Sequence, residues 1–244
     1  MLDDTEENLK RAPYSAFVLL ISLAGAGLIF GAPQSASKQH HVAQKEKESD
    51  PVKTYGSRGA PILMEVYSDY QCPSCRALFE QTLRPLIEDY VASGKVFLIH
   101  RDYPLPIHQY SWEAARYANA AARIGKFSEV EAALYDNQAA WTADGNVQKF
   151  VAAVLSDAEM KRIQKMLDPC GGPNATTRPA SLSLSGNDGC VLDSFIQKDV
   201  ASGQLLPVQQ TPTSLVTYKG QPQPVVGFVS YPILKQFFDQ LLKQ

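Results

Sequence analysis

The distribution of apolar and polar residues divides the chain into three parts. Residues 12–37 carry no charge, and Ala16–Ala32 contains one polar residue, Ser22. A run of this length is typical of a signal-peptide core or of a membrane-spanning helix. The next residues, up to 58, are mostly polar, as expected of a flexible tether. The periodicity of a folded domain begins at about Gly59.

A strand–helix–strand unit opens the folded part. Residues 61–68 (PILMEVYS) and 95–103 (KVFLIHRDY) have the composition of buried strands. Between them, helically spaced apolar residues predict a helix over about 72–91, kinked at Pro85. A unit of about 45 residues with this order favours two parallel strands joined by a right-handed crossover.

Helices are predicted in the middle of the chain and a hairpin near its end. The helical pattern covers residues 111–124, 127–139, 147–155, 157–167 and 191–203. Ser111 is predicted to cap the first of these helices, and Ser156 with Glu159 matches a capping box. Strands are predicted at 213–218 and 224–229 around a turn at Lys219-Gly220, followed by a closing helix over 231–243. This order predicts an α/β fold, βαβ then ββα, with helices inserted at about 106–205.

Composition and charge exclude one class of function. The chain of 244 residues is 45% hydrophobic and 20% charged, which is ordinary for a globular protein. Its formal net charge is −2, and Lys and Arg are scattered rather than clustered. We therefore do not expect a nucleic-acid-binding protein.

The four cysteines, at positions 72, 75, 170 and 190, raise the possibility of a metal site. Cys72 and Cys75 supply one pair of ligands, but Cys170 and Cys190 do not form a second closely spaced pair. His100 and His108 lack the usual zinc-ligand spacing, and His40-His41 fall in the polar tether. No metal is expected.

A redox-active pair agrees better with the position of Cys72 and Cys75. Cys72 falls where a strand turns into a helix, and the free N–H groups of a first helical turn favour thiolate over thiol. Cys75 lies one turn later, within disulfide reach and further from solvent. Pro73 suits the first helical position, where no N–H is needed. This arrangement provides one sulfur that attacks and leaves readily and one that resolves a mixed disulfide, without any cofactor.

A second segment is a candidate for the same site. Thr211-Pro212-Thr213 stands immediately before a predicted strand. A cis bond at Thr211–Pro212 would expose a backbone edge to which an extended client peptide could add as a short strand. An ordinary trans proline in a turn is the alternative.

These motifs resemble the DsbA-type thiol–disulfide oxidoreductases of the thioredoxin-like superfamily. The resemblance covers Gly59 to the C-terminus, through SDYQCPSC, IHRDYPLPIH, GKFSEVEAALYDNQ and TPTSLV. It implies a thioredoxin fold with an inserted helical domain, with Cys72 as nucleophile, Cys75 as resolving cysteine and Pro212 as cis-proline. It also implies client proteins as substrates and a quinone-linked membrane protein, similar to DsbB or vitamin K epoxide reductase, as the partner that reoxidises it.

Two positions depart from the pattern of that family. The family often has a buried acid six residues before the first active cysteine, where this chain has Val66. The neighbouring Glu65 should face the other side of the strand. Ser74 stands between the cysteines, where strong oxidants of the family often have His. Serine donates a hydrogen bond but brings no charge, so we expect a weaker oxidant.

Cys170 and Cys190 flank a loop rich in Gly, Ser and Asn, and we expect them to form a structural disulfide. A bridge closing about twenty residues would contribute about 3 kcal/mol to stability. A lasting disulfide requires an oxidising compartment. We therefore expect residues 59–244 to lie outside the cytoplasm, with residues 1–58 comprising a cytoplasmic tail, an anchor or signal segment at about 14–34 and the tether.

The sequence thus predicts an enzyme that exchanges disulfides with extracytoplasmic proteins, most simply as an oxidant. A reductase or isomerase would use the same groups in the other direction, because direction depends on potential and partner. A membrane-tethered thiol or copper-binding module is an alternative of another class.

Overall fold

The computed structural model describes residues 52–172, 190–206 and 208–244. Its sheet has five strands in the order β1-β3-β2-β4-β5. Their bounds are Thr54–Tyr55 (β1), Ile62–Ser68 (β2), Val96–Asp102 (β3), Thr213–Tyr218 (β4) and Gln221–Val226 (β5). β2 and β3 are parallel, whereas the other neighbouring pairs are antiparallel. The predicted βαβ unit and terminal hairpin are both present.

The helices lie between β2 and β3, between β3 and β4, and after β5. Their bounds are Pro73–Leu78 (α1), Arg84–Leu86 (α2), Ser111–Ala122 (α3), Phe127–Asp136 (α4), Gln138–Asp144 (α5), Val147–Ala152 (α6), Asp157–Leu167 (α7), Val191–Leu205 (α8) and Tyr231–Leu241 (α9). α3 to α8 form the predicted insertion, and the capping box at the start of α7 is present. The fold is therefore the thioredoxin fold with a helical insertion, as predicted.

The helix after β2 differs from the simple kinked helix that was predicted. Two π-helical segments, Phe79–Leu83 and Ile87–Val91, lie on either side of α2. Pro85 lies within α2 and has no N–H to donate. The wider turns on both sides accommodate the missing donor. In the first of them, the Arg84 N–H bonds to the carbonyl of Phe79.

Three local predictions were wrong. Ser111 does not cap α3, because Tyr110 occupies the cap position and the Ser111 hydroxyl donates to Asp69. The predicted helix 127–139 is divided, with α4 ending at Asp136 and α5 following. β5 begins at Gln221 rather than 224, because the two-residue turn Lys219-Gly220, with φ of 49° and 75°, places Gln221 directly opposite Tyr218.

The sheet includes residues that the sequence analysis assigned to the tether. β1 pairs with β3 through Thr54 and Tyr55. Lys53 is 5% exposed, and its ammonium donates to Asp102 and, at 2.6 Å, to Asp199. A lysine is buried in this way only when carboxylates compensate its charge, so the folded part extends at least to residue 53.

Replacement of Lys53 by methionine should leave Asp102 and Asp199 as buried charges without their shared cation. We expect the free energy of unfolding to fall by about 3 kcal/mol or more, as when one partner of a buried ion pair is removed. Urea denaturation of wild type and of the variant measures this change in the free energy of unfolding. Lys161→Met, at an exposed position of α7, is the control and should change stability by less than about 0.5 kcal/mol. Equal stability of the two variants would show that Lys53 does not hold the sheet edge.

Candidate active site

The end of β2 brings both motif cysteines to the start of a helix. Cys72 is the N-cap of α1, with Pro73 at the first helical position, and its N–H donates to the carbonyl of Asp69 at 3.1 Å. Cys75 lies one turn further along and is 1% exposed, against 7% for Cys72. Both are free thiols in the structure. Cys75 is thus the deeper of the two, as predicted, while Pro73 and Ser74 are exposed at the surface.

The surroundings of Cys72 favour its thiolate. A hydrogen bond from the Cys75 side chain lowers the pKa of Cys72 to about 5, against the opposing effect of burial. The side chain of Thr211 and the backbone N–H groups of Cys75 and Ser74 lower this pKa further. Nearby backbone donors therefore have the predicted effect, but the largest contribution comes from the second cysteine.

Cys75 is shifted in the opposite direction. Burial raises the pKa of Cys75 well above its ordinary value, and the Cys72 sulfur beside it raises it further. The N–H of Asp69, 3.5 Å from the Cys75 sulfur, and the Ser68 hydroxyl oppose this effect only in part. At neutral pH the reduced site therefore holds one thiolate at position 72 and one thiol at position 75.

The Thr211–Pro212 peptide bond is cis and lies beside this pair. β4 runs antiparallel to β2, and Thr213 pairs with Tyr67, so the residues just before β4 lie at the end of β2 from which the cysteines follow. The Thr211 carbonyl oxygen is 3.5 Å from the Cys72 sulfur. The two predicted segments thus form one site.

Asp69 and His108 belong to the same site, although sequence reasoning did not assign them to it. The buried Asp69 carboxylate accepts from the N–H groups of Gln71 and Leu105, both at 2.7 Å, and from the Ser111 hydroxyl. His108 Nδ1 donates to the same carboxylate at 2.8 Å. This hydrogen bond raises the pKa of His108, as do the charges of Asp69 and Cys72, against a lowering by burial. The signal in the sequence was the position of Asp69, three residues before Cys72.

A buried acid is present near Val66, but it comes from another element. Val66 is 1% exposed, and its register partner on β3 is His100. His100 Nδ1 bonds to Glu131 of α4 at 2.8 Å. Burial would lower the pKa of His100, but Asp102 and Glu131 raise it to about 9. Glu65 lies on the opposite face, as predicted, where it pairs with Arg101 at 2.7 Å.

The predicted pairing of Cys170 with Cys190 is present as a disulfide, with the two Cα atoms 4.7 Å apart. Cys170 ends a short 3₁₀ turn after α7, and Cys190 is the N-cap of α8. The bridge therefore joins two helices of the insertion and lies apart from the Cys72–Cys75 pair in the sequence. Among the described residues, no group of three His, Cys, Asp or Glu side chains is arranged to hold a metal ion.

The fold and the paired cysteines define the class of this protein as a thioredoxin-like thiol–disulfide oxidoreductase. A family model described as Thioredoxin matches residues 47–220, so the chain belongs to the thioredoxin family. The matched region contains the cysteine pair, the cis-proline and the whole helical insertion from α3 to α8.

Solved structures of DsbA proteins share this fold. BdbD from Bacillus subtilis in its oxidised form is 18% identical, with a TM-score of 0.60 over 81% of this chain and 98% of that chain. The alpha-DsbA1 protein from Wolbachia pipientis is 17% identical, with a TM-score of 0.59 over 78% and 89%. DsbA2 from Pseudomonas aeruginosa is 20% identical, with a TM-score of 0.55 over 80% and 96%. At these identities the similarity shows the shared fold.

One curated sequence is also similar over a limited stretch. An 84-residue segment is 37% identical to the Na(+)/H(+) antiporter NhaA 3 of Salinispora tropica. The aligned residues make up 34% of this chain and only 12% of the antiporter. The similarity therefore concerns a small part of that protein.

Replacement of Cys75 by alanine should raise the pKa of Cys72, because the thiol of Cys75 donates the hydrogen bond that contributes most to its low value. Hydrogen bonds to charged groups contribute about 1.5–3 kcal/mol, so loss of this donor should move the midpoint upward by roughly one to two pH units. The rate of iodoacetamide alkylation of the reduced protein between pH 3 and 9 measures this midpoint. The wild-type midpoint should lie near 5. A wild-type midpoint like that of a free cysteine would contradict the geometry described above.

Proposed function

We propose that this protein oxidises pairs of thiols in client proteins outside the cytoplasm. The observation that carries the proposal is the opposite shift of the two cysteines, with the pKa of Cys72 lowered to about 5 and that of Cys75 raised. A stabilised thiolate is a good leaving group and stabilises the reduced enzyme relative to the oxidised one. Both effects favour transfer of the disulfide from enzyme to client.

The reaction proceeds in two exchanges. A client thiolate attacks the Cys72 sulfur of the Cys72–Cys75 disulfide, which breaks, and Cys75 leaves as a thiolate that takes up a proton. A second client thiolate then attacks the client sulfur of the mixed disulfide, and Cys72 leaves as a thiolate. The client loses two electrons and gains a disulfide, while the enzyme becomes a dithiol.

The cis-proline segment is proposed to bind the client backbone. The Thr211 carbonyl lies 3.5 Å from the Cys72 sulfur, and an extended peptide next to it can add as a short strand. Such pairing uses backbone groups alone, so it accepts clients of many sequences. Thr211 and Pro212 would then hold the client cysteine in line with Cys72.

The location and the redox partner are also proposals. The Cys170–Cys190 disulfide supports an oxidising compartment. In the described part of the chain, no helix is long and apolar enough to span a membrane, and the predicted anchor at 14–34 lies outside that part. We propose that this segment holds the enzyme at the membrane, where a quinone-linked protein similar to DsbB or vitamin K epoxide reductase reoxidises it.

Reoxidation of reduced, unfolded ribonuclease tests the proposed function. The oxidised protein should restore ribonuclease activity, and Cys72→Ser should not.

The reduction potential is a second test. Because Ser74 brings no charge, we expect a potential below the value of about −120 mV known for DsbA but above about −270 mV, that of thioredoxin. Equilibration with glutathione gives the potential. A value near thioredoxin would favour a reductase, and tight copper retention by the reduced protein with no turnover would favour a binding module.

His108 should supply part of the charge that Ser74 lacks. Its imidazolium, held by Asp69, is near enough to Cys72 for the thiolate to raise the pKa of His108. We expect His108→Gln to raise the alkylation midpoint of Cys72 by about half a pH unit, because partly exposed ion pairs contribute about 0.2–1 kcal/mol. The reduction potential should become more negative at neutral pH.

The pH dependence distinguishes this charge effect from a general distortion. The reduction potentials of wild type and His108→Gln should differ below the pKa of His108. They should converge as the pH rises through that pKa, because the imidazole then becomes neutral. The neighbouring exposed residue provides the control, since Gln109→Ala should behave as wild type. A difference that persists at high pH would contradict an electrostatic role.

A further inference from the structure

Within the part that the structure describes, a carboxyl group without a hydrogen-bond partner lies in the first turn of α3. Glu113 is the third residue of α3 and is 2% exposed. Neither of its carboxylate oxygens has a hydrogen-bond partner in the described part of the chain. Buried carboxyl groups in native proteins are almost always hydrogen-bonded, so an unpartnered one requires an explanation.

The groups that would ordinarily donate hydrogen bonds to the Glu113 carboxylate bind other residues. At this helical position a glutamate commonly accepts from the N–H of the N-cap residue. The N-cap here is Tyr110, whose N–H donates to Gln71 Oε1 at 2.8 Å. Arg116, one turn further along α3, binds Asp193 at 2.6 and 2.8 Å. Burial raises the pKa of Glu113 to about 7, although the charge of Arg116 acts in the opposite direction.

Glu113 lines a cavity of about 580 Å³ between the start of α3 and the α5–α6 turn. Asp144, Asn146 and Tyr110 line the same cavity. Gly145, at φ +75°, lies so close to the Tyr110 ring that a Cβ would be 2.6 Å from it. A glycine at this position therefore allows the turn to close one wall of the cavity.

The charge of the cavity wall favours a cation. Asp144 is exposed and adds a second carboxylate to that of Glu113. Lys149 also lines the cavity, but its ammonium lies over the Phe150 ring, 5.2 Å from the centroid. The absence of a three-ligand metal cluster among the described residues favours an organic cation over a metal ion. The volume is sufficient for a long basic side chain.

The cavity is connected to the redox site through Tyr110, which lines it. Gln71, which binds the backbone of Tyr110, directly precedes Cys72. This contact joins the cavity wall to the residue before Cys72, so a client bound at Cys72 is a candidate source of a cation for the cavity.

We propose that this cavity is a client subsite for a lysine or arginine side chain close to the reacting cysteine. The ammonium or guanidinium donates to Glu113 and Asp144, which supplies the partners that Glu113 lacks. This inference rests on the proposed function, because it concerns the clients of the same thiol exchange. The proposed pairing of the client backbone with the Thr211–Pro212 segment has no sequence preference. The subsite would add a preference for basic clients.

Paired peptides provide the test. Each contains two cysteines and either arginine or citrulline, its uncharged analogue, at one of the four positions before or after the first cysteine. The rate of oxidation of each peptide by the full oxidised protein is measured at pH 8. At one or two positions, arginine should accelerate the reaction about tenfold over citrulline, the effect of one charge-assisted contact. Glu113→Gln should reduce this ratio to about twofold or less.

The matched control is Glu88→Gln, which removes the same charge from an exposed position and should retain the tenfold ratio. Glu113→Gln should also be at least as stable to heat as wild type, because it removes an unpaired buried charge.

Several results would overturn the subsite. Equal rates for arginine and citrulline at every position, with oxidation still proceeding, would reject it and leave the proposed function intact. A tenfold ratio that persists in Glu113→Gln would reject this cavity as its source. Thermal stabilisation by millimolar Ca²⁺ in wild type but not in Glu113→Gln would assign the cavity to a metal ion instead. Failure of every peptide to be oxidised would overturn the proposed function and the subsite together.

Discussion

The geometry of the redox site depends on the buried carboxylate of Asp69. It accepts hydrogen bonds from the segment before Cys72, from the loop after β3 and from the first residue of α3. The backbone of the same residue contacts both cysteines, through a carbonyl for Cys72 and an N–H for Cys75. A buried carboxylate must be paired, so these donors hold three separate segments in one arrangement around the two sulfur atoms.

The charged residues around the site differ from the pattern that the resemblance to DsbA proteins implied. Val66 leaves an apolar residue where an acid was expected, while Glu131 and His100 place a charged pair beside it from α4 and β3. Ser74 is neutral, while His108 reaches the site from a loop, where Asp69 and Cys72 raise its pKa. In both cases the titratable groups come from elements that are distant in the sequence.

Local patterns in the sequence were sufficient to predict much of the site. The paired cysteines, Pro73 and the Thr211–Pro212 segment lie in short motifs whose chemistry depends on close spacing. The buried strand β2 and the helix after it have clear periodicity. The Cys170–Cys190 pairing followed from two cysteines at the ends of one loop.

What the sequence did not predict depends on contacts between distant residues. Asp69 and His108 are 39 positions apart, and no local pattern pairs them. β1 has only two residues, too few to show a period of two, so Lys53 was placed in the tether. The buried, unpartnered state of Glu113 depends on Tyr110 bonding to Gln71, which is a feature of the folded chain alone.

The Cys170–Cys190 bridge has a consequence for the biogenesis of the protein itself. It is a bond of the kind that the Cys72–Cys75 pair is proposed to install in others, and it lies within the enzyme's own insertion. A newly made chain carries Cys170 and Cys190 as thiols, so this bond requires an oxidant to form. Under the proposed function, each new molecule is a substrate for the chemistry that an older copy performs.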